Sequence, residues 1–326
     1  MGKMFAEIGR IVDEDVSNRV NQYNVIYEAI TNSIHANATE ITCTFKSFDN
    51  PYKDENGIEV STLKVDTITV RDNGDGMNCE NYDSFCRYRS EYKKDLGAEG
   101  TGRLVFLKVY NFVRYKSRLV ALQEERNFKF DRNFDIENIR KTTCEIKSNI
   151  TEISLTDLSD NYLNRNKHID RRIKLELDVI KEKVLINLIP TLFFYKKKGI
   201  NITIEFLDAT KSESRAISPS DIPDFESTSF IVEDKERKGY NFTLNYKIEN
   251  IDGKLRAFYC ANNRTVAEFA DKDFKFTLPS GYAGFLLLES KYFDEKINNH
   301  GFSQQARAPN YECEFAVNTS FLPPSQ

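Results

Sequence analysis

The sequence predicts an α+β fold in two parts. Segments in which apolar and polar residues alternate recur along the chain, as in half-buried strands, and a few amphipathic or apolar helical segments separate them. From about residue 200 the composition changes, and a Ser/Pro/Asp-rich connector at 211–227 leads into a second strand-rich region. At 326 residues, 40% of them apolar, the chain is long enough for two modest domains with ordinary cores.

Composition narrows the functional classes. The net charge of −4 argues against a protein that coats nucleic acid or an anionic membrane, and leaves room for a local basic patch. The six cysteines show no metal-ligand spacing, and there are only three histidines, so we expect reduced thiols in a cytoplasmic protein. The longest apolar stretch, 184–195, is too short to cross a bilayer and contains Pro190, so no membrane role is expected.

Residues 1–17 form a polar lead-in that suits either a short helix or an arm docking elsewhere. The first strong helical pattern surrounds Glu28, Asn32 and His35, which are spaced to share one face of an amphipathic helix. A carboxylate one turn from a carboxamide suits a nucleotide site, where one group takes a proton from water and the other holds a metal through its oxygen. Taken alone the pattern is more often a solvated helical face, so motifs further along must decide.

Two alternating runs, 40–48 and 63–70, predict adjacent antiparallel strands. The second ends in Asp72-Asn-Gly-Asp-Gly76-Met77, where two glycines allow a tight turn and close approach of a ligand to the backbone. An ionised aspartate only accepts hydrogen bonds, so Asp72 would favour the exocyclic amino group of adenine over the carbonyl of guanine. The alternatives are a calcium loop and a plain hairpin turn, but the closing glutamate of a calcium loop is replaced here by Asp83.

A short helix is predicted at 80–89, followed by a polar lid-like segment and then Gly97-Ala-Glu-Gly-Thr-Gly102, which leads into an apolar helix at 104–110. Glycines before a helix expose N–H groups that suit phosphates. A lone motif of this kind is often a linker. It is not a Walker A loop, because no Gly-Lys-Ser/Thr follows.

The rest of the chain completes the two parts. Strands are predicted at 112–120, 127–134 and 142–155. They are followed by a long helix that ends near Pro190 and by a strand at 200–207. Further strands are predicted from Phe230 onward, as a strand–turn–strand at 255–266 and as a buried strand at 284–289. We place the domains at 1–210 and 211–326, and expect a longer natural chain to continue beyond Gln326.

The three motifs, in this order, resemble those of the GHKL ATPases, which include gyrase, the heat-shock chaperones of the Bergerat fold, histidine kinases and MutL. Residues 28–32 resemble the N-box, 72–76 the adenine-binding turn and 97–102 the phosphate-covering G-box. Thr151 resembles the threonine that closes the adenine pocket. The resemblance covers about residues 20–205 and implies a mixed, mainly antiparallel sheet covered by helices on one face.

The resemblance also implies roles. Glu28 would be the general base and Asn32 the Mg²⁺ ligand, with ATP as the substrate; His35 departs from the aspartate found in many members. The implied nucleotide-binding residues are Asn32, Asp72, Gly74, Gly76, Met77, Gly97, Gly100, Thr101, Gly102 and Thr151. This chemistry agrees with phosphoryl transfer, which needs positioning and charge neutralisation more than covalent help.

The second part resembles the transducer domain of the MutL, gyrase and chaperone branch. There a loop lysine reaches the γ-phosphate; here Arg307 is the nearest cation, and the alternative is an exposed surface arginine. We therefore expect an ATP-hydrolysing clamp that closes as a homodimer and signals to a downstream module with a DNA or protein client. The alternative is a nucleotide-gated DNA, chromatin or protein binding switch with negligible turnover.

Overall fold

The computed structural model describes residues 7–53, 56–88, 90, 92, 101–164, 171–233, 238–251, 253–261, 264–268 and 281–294. The larger sheet has eight strands in the order β5-β4-β3-β6-β2-β1-β7-β8. These strands are β1 (Glu40–Lys53), β2 (Glu59–Asp72), β3 (Phe112–Leu119), β4 (Glu124–Asp131), β5 (Arg140–Thr143), β6 (Ile150–Leu155), β7 (Thr203–Asp208) and β8 (Ser214–Ile217). All neighbours are antiparallel except β1 and β7, which are parallel.

Helices cover one face of this sheet. They are α1 (Ile8–Asp15), α2 (Gln22–His35), α3 (Cys79–Cys86), α4 (Arg103–Val109), α5 (Asp160–Leu163) and α6 (Leu177–Lys197). Alternate residues of β3 and β6 are buried, and they share one apolar core with residues of α2, α4 and α6. The arrangement confirms the predicted α+β sandwich. Among the described residues, no helix has both the length and the apolar composition needed to span a membrane.

Helix α2 is fixed at its start by polar contacts. Asn21 caps the helix and forms a reciprocal capping box with Asn24. The next residue, Gln22, is fully buried, and its amide nitrogen donates to the carbonyl of Val65 and the hydroxyl of Tyr110, both at 3.0 Å. Its amide oxygen accepts from the N–H of Ile173 at 2.8 Å. One buried side chain thus ties α2 to the sheet and to two distant segments.

The polar lead-in contains a helix rather than only an extended arm. The helix, α1, packs against α4, where the buried Lys108 donates its Nζ to the carbonyls of Val12 at 2.9 Å and Asp13 at 3.3 Å. These carbonyls lie in the last turn of α1, where backbone acceptors lack helical partners. Lys108 therefore satisfies the end of α1 and anchors it on the core.

The single strand predicted at 142–155 is wrong. This region forms two strands, β5 and β6, because β5 pairs with β4 at the sheet edge while β6 lies between β2 and β3. The chain must cross from edge to centre between them, and one straight strand cannot occupy both places. Polar side chains support the crossing: Gln123 accepts from the N–H of Ile146, and Asn149 from that of Val120.

The prediction that the long helix ends near Pro190 is also wrong, because α6 continues to Lys197 with this proline inside it. An internal proline costs about 3 kcal/mol. Burying one large aliphatic side chain contributes about 1.5 to 3 kcal/mol, and Leu188, Ile189 and Leu192 are all at most 3% exposed. Packing on both sides of the proline therefore outweighs the lost hydrogen bond.

The second sheet has the order β12-β11-β13-β10-β9, and only its β11–β13 pair is parallel. Its strands are β9 (Glu226–Glu233), β10 (Gly239–Glu249), β11 (Leu255–Ala261), β12 (Arg264–Glu268) and β13 (Ala283–Ser290). A small core joins Phe258 and Leu287 of this sheet to Ile189 of α6. The larger sheet reaches Ile217, so the predicted division at 210/211 falls inside the β7–β8 hairpin.

Candidate nucleotide-binding site

A row of three polar residues crosses the centre of the larger sheet. Asp72, at the end of β2, is the cross-strand partner of Thr151 on β6, and Thr151 is the partner of Ser117 on β3. All three are buried, and the hydroxyl oxygens of Ser117 and Thr151 lie 3.0 Å apart. The strand order therefore brings together residues that are far apart in sequence, on the face covered by helices.

The carboxylate of Asp72 is held by the helix and by its own turn. It is 8% exposed, and a buried carboxylate is strongly unfavourable without hydrogen bonds. Ser33 Oγ donates to Oδ2 at 2.7 Å, and the N–H of Gly74 donates to Oδ1 at 2.9 Å. These donors fix the orientation of a group that, when ionised, presents only acceptors to a ligand.

The turn after β2 requires both of its glycines. A Cβ on Gly74 would lie 2.5 Å from the carbonyl oxygen of Ala36, just beyond the end of α2. Gly76 has a φ of +64°, and a Cβ there would overlap Ser117 Oγ and lie 2.8 Å from Thr151 Oγ1. The next residue, Met77, donates its N–H to Ser117 Oγ at 2.9 Å. Close packing of the turn on the polar row thus excludes any side chain at either glycine.

A cavity of about 380 Å³ opens beside this turn and is bounded by α2, α3, α4 and the sheet. It brings together most of the described residues that the motifs predict, namely Glu28, Asn32, Asp72, Gly76, Met77, Thr101, Gly102 and Thr151. His35 also lines the cavity and is buried. Gly74 belongs to the same turn, where its lack of a side chain lets the turn pack against the end of α2. Gly97, Gly100 and Arg307 lie outside the described residues.

Glu28 and Asn32 face the cavity one helical turn apart, as predicted from their spacing. Within the described part of the chain, neither side chain has a hydrogen-bond partner. The carboxylate of Glu28 lies directly over Gly102, the residue that precedes α4, so closely that a Cβ at this glycine would overlap it. The glycine therefore lets the acidic side chain and the start of α4 approach one another.

Several cavity residues have no counterpart in the sequence motifs. Ser33 and Ser117 act by holding Asp72 and the turn, whereas Phe85 and Arg103 line the wall. Asn81 of α3 donates to the carbonyl of Gly76 at 2.6 Å. Ser33 lies in the predicted polar helix, next to Asn32, and was detectable in principle. The positions of the others depend on strand and helix pairing that the sequence does not display.

Residues 20–168 match the family model described as histidine kinase-, DNA gyrase B-, and HSP90-like ATPase. These residues are therefore similar to a GHKL-type ATPase domain. The match includes the turn at Asp72 and the helix carrying Glu28, which the cavity brings together.

Several solved structures are similar to the chain at low sequence identity. The ADP-bound MutL ATPase domain of Aquifex aeolicus is 16% identical, with 85% of this chain and 95% of that chain covered and a TM-score of 0.44. The N-terminal domain of a DNA repair protein is 16% identical, covered at 86% of each chain, with a TM-score of 0.49. The 43K ATPase domain of Thermus thermophilus gyrase B, complexed with an aminocoumarin, is 11% identical, covered at 86% and 80%, with a TM-score of 0.46. No curated protein sequence matches the chain.

Replacing Gly76 by alanine tests whether the turn must pack this closely. Gly76→Ala combines a positive φ with overlap on Ser117, so it should lower the free energy of unfolding by about 2 to 5 kcal/mol, measured by urea denaturation. Gly57→Ala is the matched control, because Gly57 has a φ of +74° but no atom within 4 Å of its Cβ position. It should lose only about 1 to 2 kcal/mol. Equal losses in the two variants would show that the close packing at Gly76 is unimportant.

Proposed function

We propose that the chain binds ATP with Mg²⁺ in this cavity and hydrolyses it. The observation that carries the proposal is that one cavity is lined by Glu28, Asn32, Asp72 and Gly102, which come from three separate parts of the chain. The family match supports the same activity, because it covers all four residues.

Asp72 would accept a hydrogen bond from the amino group of adenine. An ionised carboxylate has about four acceptor sites, and Ser33 and Gly74 donate to two of them. Thr151 and Met77 line the same end of the cavity and would enclose the base. The proposal therefore predicts a site that selects adenine by a fixed acceptor.

The phosphates would lie toward Gly102 and Thr101, where α4 begins. Glu28, whose carboxylate lies over Gly102, would accept a proton from the water that attacks the terminal phosphorus. Asn32 offers a carboxamide oxygen, and Mg²⁺ commonly takes one or two protein ligands together with phosphate oxygens. Bound Mg²⁺ supplies charge neutralisation on the phosphates. The described residues contain no cluster of three or more His, Cys, Asp or Glu side chains that could hold a metal independently.

Nucleotide binding would close two copies into a clamp and change the second sheet. The route within one copy starts at α2, which carries Glu28 and Asn32 and packs against α6. Helix α6 contributes to both cores, and the hydroxyl of Thr265 on β12 donates to the carbonyl of Asn187 at 3.2 Å. These contacts support a transducer-like role for the second sheet.

Glu28→Gln should retain nucleotide binding and lose hydrolysis, because the substituted amide keeps the shape but cannot take a proton. The expected loss in turnover is on the order of 100-fold or more. Steady-state phosphate release and calorimetric ATP affinity measure the two effects separately. Turnover within about threefold of wild type would exclude Glu28 as the base. Tight ATP binding with negligible turnover in the wild type would instead favour a nucleotide-gated binding switch.

Asp72→Asn should weaken ATP and reduce the preference for ATP over GTP. The amide can satisfy Ser33 and Gly74 locally, since the serine hydroxyl can also accept. It nevertheless adds a donor that suits the carbonyl of guanine. Calorimetric titration of both nucleotides into both proteins measures the ratio of affinities. An unchanged ratio would show that this residue supports the turn without selecting the base.

A non-hydrolysable ATP analogue with Mg²⁺ should double the mass measured by light scattering, whereas ADP should leave it unchanged, since only a triphosphate provides the terminal phosphate. Glu28→Gln with ATP serves as the matched comparison. It should form the same dimer and hold it longer, because its nucleotide is not hydrolysed. A monomer in every nucleotide state would contradict the clamp. It would not bear on ATP hydrolysis, which the turnover measurement tests separately.

A further inference from the structure

The charges around the cavity are unbalanced for a triphosphate ligand. Of the lining residues that the structure describes, Glu28 and Asp72 carry carboxylates, and the nucleotide would add several more negative charges. Among the described lining residues, Arg103 is the only lysine or arginine. Because like charges repel strongly where water is scarce, the position of this one guanidinium matters for what the cavity can bind.

Arg103 is the first residue of α4 and directly follows Gly102, over which the carboxylate of Glu28 lies. Its Nη2 donates to the carbonyl of Arg87, at the end of α3, at 3.0 Å. Its Cζ lies 5.2 Å from the centre of the Phe85 ring, which also lines the cavity. The side chain therefore extends along the cavity wall from α4 to α3 and is oriented by both a carbonyl and an aromatic face.

The surroundings of Arg103 favour an additional negative partner. Burial lowers the pKa of Arg103, and the neighbouring Tyr115, Cys86 and Glu28 counteract part of that effect. An arginine remains protonated under these conditions. Arg103 is partly buried, and a partly desolvated cation is stabilised by charged or polar partners. A phosphate oxygen would add a negative partner beside the carboxylate of Glu28.

We propose that Arg103 binds the terminal phosphate of ATP and makes the site select a triphosphate over a diphosphate. The inference rests on the proposed function, because it places Arg103 beside Glu28, the group that would orient the attacking water. A guanidinium presents a planar set of donors suited to phosphate oxygens, and such charge-assisted bonds are stronger than neutral ones. Arg103 would provide this cation from α4, independently of Arg307.

The test compares affinities for a non-hydrolysable ATP analogue and for ADP, each with Mg²⁺, by calorimetry. Arg103→Gln should weaken the ATP analogue about tenfold or more while changing ADP by less than about threefold. Arg103→Lys keeps the positive charge but lacks the planar set of donors, so its loss of affinity for the ATP analogue should be intermediate. Arg114→Gln is the matched control. Arg114 is an exposed arginine on β3 next to the buried Tyr115, so its side chain points away from the cavity, and neither affinity should change.

Equal weakening of both ligands in Arg103→Gln, together with a lower melting temperature, would overturn the inference and leave Arg103 as a tie between α3 and α4. If that variant is too unstable to titrate, Arg103→Lys decides. An ATP-to-ADP affinity ratio equal to wild type would then contradict the proposal, and a reduced ratio would support it. Failure of the proposed function is distinguishable, because the wild-type chain would then bind neither nucleotide.

Discussion

The candidate site depends on one junction, where the turn after β2 is hydrogen-bonded to, and packs against, the C-terminal end of α2. Asp75 donates its N–H to the carbonyl of Ala36 at 2.7 Å, Ser33 holds Asp72, and Gly74 has no side chain to keep the two segments apart. In the proposed function the helix would contribute the acidic and amide groups for phosphate chemistry, and the sheet the acceptor for a base. This junction would then set the separation between the two ends of a bound nucleotide.

A second constraint lies in α6, which has no fully solvent-facing side over its middle turns. Leu188 packs into the main core, whereas Ile189 packs into the core of the second sheet. Pro190 follows these residues and removes one backbone hydrogen bond from the helix. The helix therefore joins the two sheets through a continuous packed surface.

Sequence patterns predicted the local geometry around the cavity. Helical spacing placed Glu28 and Asn32 together, and paired glycines indicated a turn without room for side chains. The row formed by Ser117, Thr151 and Asp72 was not visible in the sequence, because strand order is set by pairing between distant segments. Thr151 was found only through the family resemblance. Pro190 misled the prediction because local propensity was outweighed by tertiary packing, which no local pattern reports.

The contact between Glu28 and Gly102 has an evolutionary consequence. The carboxylate occupies the space that a Cβ at Gly102 would fill, so an alanine there would displace the flexible end of Glu28. Selection on the orientation of Glu28 would therefore also act on Gly102, although the two residues lie on different helices and far apart in the sequence.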